Sequence, residues 1–170
     1  MYEVYLDGKQ LYYPGDKVNA LVSAVLDTKL NESGTFDITI PTTNPLYGQF
    51  QPRVSELTVK KDGKEIWNGE IRSNKSNFKK ENVIQAVGEL AYLTASSQPQ
   101  KAYINVSPLQ LVTALINEHN SQVEPRKQFA VGMITVGNFY YDWVTNYEST
   151  LDYMRASVCE KLNAYLRIRK

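Results

Sequence analysis

Catalysis by nucleophilic attack needs a nucleophile with a general base within reach. His119 is the only histidine and Cys159 the only cysteine, so a Cys–His pair is the one thiol-based arrangement available. Both residues continue the apolar faces of predicted helices, which favours a packed histidine and a packed cysteine over a catalytic pair. The Gly-x-Ser-x-Gly pattern of a hydrolase nucleophile does not occur.

Metal, phosphate and sugar chemistry have equally little support. The sequence has no His-Glu-x-x-His, no Cys-x-x-Cys and no Asp-rich calcium loop, and its glycines are too scattered to cradle a phosphate. The sequence therefore predicts no metal and no cofactor. Paired carboxylates for sugar hydrolysis stay an open alternative, because two acids can meet from anywhere in a chain. The acids beside turns and helix caps, where a structural role is favoured, are Glu32, Asp37, Glu148 and Asp152.

One run of positive charge has two interpretations. Interleaved with Trp67 and Phe78, it could form a nucleic-acid face. A solvated hairpin whose edges are protected by lysines explains the basic run equally well, and neighbouring acids offset its positive charge. The basic residues are Lys60, Lys61, Lys64, Arg72, Lys75, Lys79 and Lys80, and the acids are Asp62, Glu65, Glu70 and Glu81.

The composition is that of a globular protein without a strong charge. Of 170 residues, 42% are hydrophobic and 22% charged, and the formal net charge is +1. So small an excess of positive charge gives no reason to expect nucleic acid or an anionic membrane as partner. No run approaches the roughly 18 apolar residues of a membrane span. Tyrosine dominates the aromatics, with 12 Tyr against 5 Phe and 2 Trp, as suits half-buried sheet faces and protein contacts.

The first half alternates between strands and turns. Asp7-Gly8 is a turn pair, and Lys61 to Lys64 is a hairpin loop in which a glycine can adopt positive φ. Pro41 ends a strand because proline cannot donate to the ladder. The expected strands are Tyr2 to Leu6, Leu11 to Tyr13, Leu21 to Leu30, Thr35 to Ile40, Glu56 to Lys60, Glu65 to Arg72 and Val83 to Val87, with a polar tip from Ser73 to Asn82.

The second half mixes helices and strands. Ser107 and Pro108 predict the N-cap and first residue of a helix that ends near Pro125, and Ser149 with Asp152 resembles a capping box at a second helix. The predicted buried stripes are Leu109, Val112, Leu115, Ile116 and His119 on the first helix, and Leu151, Met154, Val158 and Leu162 on the second. The expected strands of this half are Phe129 to Val136, Phe139 to Val144 and Tyr165 to Arg169. Because the last of them begins only at the final residues, we expect the sequence to be a fragment of a longer protein.

These patterns together predict an α+β fold that is mostly β. We expect a β-barrel-like domain over residues 1–95 and a mixed α/β subdomain with two helices over 96–170, incomplete at its C-terminus. The expected boundary lies near Ser96-Ser97-Gln98-Pro99, where the pattern changes from strands alone to helices and strands.

Several segments follow one another in a characteristic order. The run Leu30-Asn31-Glu32-Ser33-Gly34-Thr35-Phe36-Asp37-Ile38-Thr39-Ile40-Pro41 is followed by Asn44-Pro45-Leu46-Tyr47, the hairpin Leu57 to Ile71 and a return strand ending Gly88-Glu89-Leu90-Ala91-Tyr92-Leu93. The second half continues with a helix closing in His119-Asn120, a strand near Gly132 to Val136, and a capped helix leading to Tyr165 to Arg169. This order resembles that of phage tail-tip, or baseplate-hub, proteins of Gram-positive hosts. Asn163-Ala164 stands where such proteins often carry two glycines, and asparagine tolerates the left-handed conformation of a helix C-cap.

The resemblance implies a structural role in a virion, not a reaction. A β-barrel-like domain would dock onto the ring of the distal tail protein, three copies would close around the tail channel, and contact with the tape-measure protein is a further expectation. The chain would be assembled in the host cytoplasm and lie at the tail tip, and related proteins often carry a cell-wall hydrolase or a receptor-binding region that here would follow residue 170.

Seven aromatic residues are candidates for contacts between subunits, with core packing as the alternative for each. They are Tyr12, Tyr13, Tyr47, Trp67, Tyr140, Tyr141 and Trp143. A carbohydrate-binding or adhesin-like β-module is the rival function, and it predicts exposed aromatics gathered in one groove. A cell-wall peptidase or glycosidase is a third hypothesis, which would require activity from this fragment alone.

Overall fold

The computed structural model describes residues 1–137 and 139–168. The chain forms two compact units, Met1–Glu89 and Leu90–Lys170. The architecture is α+β and mostly β, as the sequence predicts, and the seven-stranded sheet of the first unit is a half-barrel.

Seven antiparallel strands make up the first unit. Their order across the sheet is β2-β1-β5-β6-β7-β4-β3, so β2 and β3 are the edge strands and β6 is central. The strands are β1 (Tyr2–Leu6), β2 (Lys9–Tyr12), β3 (Ser23–Asp27), β4 (Thr35–Ile40), β5 (Glu56–Lys61), β6 (Lys64–Ser76) and β7 (Asn82–Gly88).

Two hairpins of this sheet turn on Asp-Gly pairs. Asp7 and Gly8 have φ of 48° and 79° between β1 and β2, and Asp62 and Gly63 have 51° and 75° between β5 and β6. Positive φ at both central residues is the type I′ geometry, whose twist matches that of paired strands. These two dipeptides therefore fix the register of both hairpins.

The core of the first unit follows the period of two along its strands. Phe36, Ile38 and Ile40 of β4 are buried, as the sequence predicts, and Leu57 of β5 and Ile71 of β6 belong to the same buried cluster. Alternation places every second residue on one face of a sheet. The remaining buried apolar residues of this cluster are Val4, Leu6, Leu11, Leu46, Phe50, Val59, Trp67, Ile84 and Ala86.

Three glycines surround the Trp67 side chain within this core. Gly69 and Gly88 are directly opposite on β6 and β7, and a Cβ at Gly69 would lie 2.5 Å from Trp67 Cη2. A Cβ at Gly34 would lie 3.3 Å from Trp67 Nε1. The absent side chains leave the space that the indole fills, where it packs edge-on against Phe36 at 5.5 Å between ring centroids.

The second unit combines a two-stranded antiparallel sheet with two helical stretches. A 3₁₀ segment (Glu89–Ala95) leads into it, and a short 3₁₀ turn (Pro125–Lys127) follows the first helix. The second helical stretch is α-helical at both ends and π-helical between them, over Met154–Cys159. Its regular elements are β8 (Lys101–Val106), α1 (Pro108–Gln122), β9 (Tyr141–Thr145), α2 (Thr150–Tyr153) and α3 (Glu160–Leu162).

The predicted caps are all present. Ser107 accepts from the Gln110 amide and Gln110 bonds back to the Ser107 amide, which is a complete capping box before Pro108. Ser149 Oγ accepts from the Asp152 amide at 3.1 Å. Asn163 ends the second helical stretch in the left-handed conformation, with φ of 49°, so a single asparagine supplies the C-cap geometry that glycine often provides.

Four details of the second unit differ from the sequence-based expectations. Residues 129–136 are irregular, because Asn120 bonds both backbone groups of Phe129 at 2.8 and 2.9 Å in place of a neighbouring strand. Residues 165–168 are also irregular, and Arg169 lies outside the described residues. Leu109 is exposed, and Leu111 takes the buried position on α1. Strand β8 was not predicted at all.

Candidate interaction surfaces

His119 and Cys159 do not form a site. His119 is fully buried and bonded through both ring nitrogens, to Ser96 and to the Lys127 carbonyl. Cys159 is buried on the second helical stretch, and this burial raises the pKa of its thiol. A thiol that keeps its proton is a weak nucleophile, so each residue has the packed role that the helix pattern favours.

A buried chain of hydrogen bonds that the sequence did not reveal connects three segments of the second unit. Ser96 Oγ lies 2.6 Å from His119 Nδ1 and 2.7 Å from Thr150 Oγ1. Gln98 Nε2 lies 2.7 Å from Thr150 Oγ1 and 3.0 Å from the Leu115 carbonyl. The chain ties residues 96–98 to α1 and to the start of α2.

The donor and the acceptor of each bond in this hydrogen-bond chain follow from the backbone carbonyl at its end, which can only accept. The Lys127 carbonyl only accepts, so in the neutral ring His119 Nε2 carries the hydrogen and Nδ1 accepts from Ser96. Ser96 then accepts from Thr150, which accepts from Gln98. A nucleophilic serine needs access to substrate, whereas Ser96 is 5% exposed and His119 0%. The arrangement holds the fold together and presents no reactive group.

Three of the four acids singled out from the sequence make local contacts at turns and helix caps. Glu32 is exposed, and its Oε2 lies 4.0 Å from Lys29 Nζ. Glu148 accepts from the Asn146 amide at 2.6 Å, and Asp152 accepts from the Ser149 hydroxyl at 2.6 Å. These bonds are those of turns and helix caps, not of a paired acid and base.

A different group of acids meets on β5 and β6. The Asn68 side-chain amide donates to Glu89 at 2.9 Å and to Glu56 at 3.3 Å, while the Thr58 hydroxyl donates to Asn68 Oδ1 at 2.7 Å. Glu70, the cross-strand partner of Glu56, is fully buried with Arg72 3.4 Å away. In residues 1–137 and 139–168 no group of acids, histidines or cysteines has the geometry to hold a metal ion.

The seven candidate aromatics divide between core and surface. Trp67 and Trp143 are buried in the cores of their units and present almost no surface to a partner, so for these two the structure favours the core-packing interpretation. Tyr12 and Tyr141 are half-buried against the same cores. Tyr13 and Tyr140 are exposed, and Tyr47 is half-buried and donates to the Lys80 carbonyl.

The lysines that looked continuous in sequence lie at opposite ends of β6. Lys64 begins this strand and Lys75 is next to last, which separates them by about 35 Å at roughly 3.3 Å per residue. Lys60 and Lys61, near the first end, lie over the rings of Tyr5 and Tyr2 at 4.6 and 5.4 Å. One uninterrupted basic face is therefore absent from the described part of the chain.

Open strand edges and apolar sheet surface are the features that fit protein contacts. β3 is an edge strand with neither proline nor lysine, and its Val25 is 60% exposed. In β8 and β9, Ile104 and Val144 point away from the core and are exposed. Unprotected edges and apolar sheet faces are where other chains pair with a sheet.

Two clefts in the described part of the chain are polar. One, of about 510 Å³, is lined by residues of the β1–β2 turn and of residues 48–55, with Asp7 and Lys9 among them. The other, of about 170 Å³, lies beside Asp27 and Glu32. No aromatic side chain lines either cleft. No helix in the described ranges is long and apolar enough to cross a membrane.

Comparison with known proteins finds similarity in structure alone. No protein-family model matches the chain, and no curated protein matches its sequence. The crystal structure of the 43 kDa tail protein of prophage MuSo2 from Shewanella oneidensis has a similar fold, with a TM-score of 0.60 and 14% sequence identity. The similarity covers 94% of this chain and 47% of that protein, so this chain spans about half its length.

Proposed function

We propose that this chain is a structural component of a phage or prophage tail. The observation that carries the proposal is the likeness in fold to the MuSo2 tail protein, which extends over 94% of the chain and so includes both units. The order of strand, hairpin and capped-helix segments read from the sequence leads to the same class of protein by an independent route.

Within the tail, the proposed place is the tip. The chain would act as a baseplate hub: three copies would form a ring around the channel, dock on the distal tail protein, contact the tape-measure protein and carry effector regions beyond residue 170. The open edge at β3 and the exposed Tyr13 and Tyr140 support such contacts. A formal charge of +1 also leaves little repulsion between copies.

The proposed role involves no catalysis by residues 1–170. The serine and histidine that lie within hydrogen-bond distance are buried, and the single thiol is buried as well. A hydrolase active site needs an accessible nucleophile or water beside its base. Zymography on peptidoglycan tests this part: a cleared band produced by the intact fragment contradicts it.

The carbohydrate-binding alternative has no specific support. It predicts exposed aromatics gathered in one groove, whereas the two polar clefts described above are lined by none. The exposed candidates Tyr13 and Tyr140 belong to different units. A glycan array that bound the chain would reverse this preference.

The assembly proposal is tested by light scattering after size exclusion and by capture on the immobilised distal tail protein. We expect a trimer, or specific capture, for the natural sequence. Val25→Lys places a charge on the open edge of β3 and should weaken association. Val18→Lys adds the same charge at a site of similar exposure, 56% against 60%, outside the strand, and should not. A monomer that the distal tail protein fails to capture contradicts the proposal.

A further inference from the structure

The hairpin connection between β6 and β7 is a small, ordered loop that presents one aromatic side chain. This β6–β7 tip comprises residues 77–81, and Phe78 on it is fully exposed. Other exposed apolar side chains of the first unit, such as Val25 at 60%, keep part of their surface in contact with neighbours. The Phe78 ring contributes nothing to the packing of its own unit.

Asn77 gives the β6–β7 tip a defined conformation. Its side-chain oxygen accepts from the amides of Lys79 at 2.9 Å and Glu81 at 3.0 Å, and its side-chain amide donates to the Glu81 carboxylate at 2.8 Å. Backbone bonds close the loop, from Asn77 to the Glu81 carbonyl and from Lys80 to the Asn77 carbonyl, both 3.0 Å. A loop held in this way loses little conformational entropy when a partner binds it.

A second element supports the tip from outside the hairpin. Tyr47, in the loop after β4, donates its hydroxyl to the Lys80 carbonyl. Lys80 has φ of 64°, a backbone conformation that costs a non-glycine residue roughly 1–2 kcal/mol. The hydrogen bond holds the carbonyl of this strained residue in place, which gives Tyr47 a supporting role at the tip.

Positive charge lies close to the exposed ring along the chain. Lys79 and Lys80 directly follow Phe78, and Lys75 precedes it by three residues on β6; all three are exposed, and none has an ion-pair partner in the part of the chain that the structure describes. The acid of the tip, Glu81, is bonded to Asn77. These three lysines are the positive rim of the tip.

We infer that the β6–β7 tip inserts Phe78 into an apolar pocket bounded by carboxylates on another protein of the same tail. This inference rests on the proposed function. A rigid aromatic side chain that fills a pocket, with complementary charge at the rim, is the pattern of a binding hot spot. A membrane fits less well, because a single phenylalanine ring buries far less apolar surface than the acyl chains that anchor proteins to bilayers. A second copy fits less well, because both clefts described above are polar and the larger of the two contains Lys9.

Photo-crosslinking in assembled tails tests the inference on the full chain. Phe78→p-benzoylphenylalanine is expressed with the complete set of tail genes, tails are purified and irradiated, and adducts are mapped by mass spectrometry. We expect an adduct to a single protein, at an apolar pocket flanked by Asp or Glu. Lipid adducts, or a chain present in tails without a protein adduct at position 78, overturn the inference alone. Absence of the chain from tails overturns the proposed function and this inference together.

Binding measurements on the protein captured in that adduct give the magnitude. Phe78→Ser should weaken the affinity by on the order of tenfold to a hundredfold, the effect of burying one aromatic ring, while the melting temperature stays unchanged because the ring packs against nothing. Tyr165→Ser, which removes an aromatic of 63% exposure from the second unit, is the matched control and should bind normally. Affinity within about twofold of the natural chain for Phe78→Ser refutes the inference.

Two further variants separate the contributions of charge and order. Lys79→Glu should weaken binding at low salt and less so at high salt, because the rim charges are exposed and screened. Asn77→Ala leaves the ring in place but removes the hydrogen bonds that order the tip, and should weaken binding by a smaller factor than Phe78→Ser. Binding of the natural chain to phosphatidylglycerol vesicles that is lost in Phe78→Ser would identify a lipid surface and contradict the protein partner.

Discussion

Replacing Gly88 by alanine should destabilise the first unit more than any other glycine-to-alanine change outside a turn. A Cβ at this position would lie 1.8 Å from the Ser33 carbonyl oxygen and 3.0 Å from Trp67 Nε1. Ordinary contact between such atoms requires well over 3 Å, so the strand and the residue 33 backbone would have to separate by more than 1 Å. The obstacle is backbone, which cannot rotate away as a flexible side chain would.

The expected loss of stability follows from two opposing effects. Overpacking a tight core site costs about 1–3 kcal/mol, and a backbone obstacle places Gly88→Ala near the upper end. Alanine restricts the unfolded chain and returns about 0.4–1 kcal/mol. The free energy of unfolding should therefore fall by about 2 kcal/mol. For a unit of this size, that corresponds to a fall of roughly 8–16 °C in melting temperature.

Tryptophan fluorescence can follow this unit alone. The chain has two tryptophans, of which Trp67 lies in the first core and Trp143 in the second. In a chain that carries Trp143→Phe, the remaining emission comes from Trp67 and therefore reports on the surroundings of Gly88. Thermal or urea unfolding is then compared between this chain with and without Gly88→Ala. The reference is the chain that carries Trp143→Phe alone. An equal melting temperature for that chain and for the chain that also carries Gly88→Ala would refute the close approach.

Three further predictions concern the second unit. His119→Leu removes both hydrogen bonds of a buried ring and leaves Ser96 without its acceptor, so the free energy of unfolding should fall by about 2–3 kcal/mol in urea titrations; an unchanged midpoint contradicts the hydrogen-bond chain. Burial raises the pKa of Cys159, so the folded thiol should react slowly with a disulfide reagent and quickly in urea. The folded state holds that proton more tightly, so this group's contribution to stability should fall as pH rises above about 8.5; fast labelling of the folded chain contradicts it. Asn163→Gly should preserve stability and Asn163→Val should lower it by about 1–2 kcal/mol, because the C-cap is left-handed; equal melting curves count against that cap.

The elements that the sequence predicted well are those fixed by neighbouring residues. Two Asp-Gly turns, two serine N-caps and the alternation of β4 each depend on fewer than about six consecutive residues, and all are present. Strand β8 depends on a distant partner: Tyr103 pairs with Trp143, and Asn105 with φ of 52° interrupts its alternation. No local pattern could reveal that strand. The strand predicted from Phe129 to Val136 is absent although its local pattern favours one, because the Asn120 side chain of α1 bonds the Phe129 backbone in place of a strand partner.

The candidate contact residues show the same division between local and distant information. Strand patterning could indicate that Trp67 and Trp143 lie on strands, but which face is inward depends on pairings many residues away. Trp67 is inward because Gly69 and Gly88 leave room for its ring, and neither glycine is recognisable as its neighbour from sequence alone. Tyr140 precedes β9 and escapes this constraint, so it stays exposed.

Strand length also changes what the basic residues can bind. A nucleic-acid strand carries a phosphate about every 3.4 Å, and affinity grows with the number of phosphates that lysine or arginine neutralises together. Between Lys64 and Lys75 the only basic residue of β6 is Arg72, which lies 3.4 Å from the buried Glu70. A phosphate backbone laid along β6 would therefore pass a long interval without a free cation. Two small basic groups far apart are better suited to two separate protein contacts, and the group at the β6–β7 tip includes the fully exposed Phe78 ring.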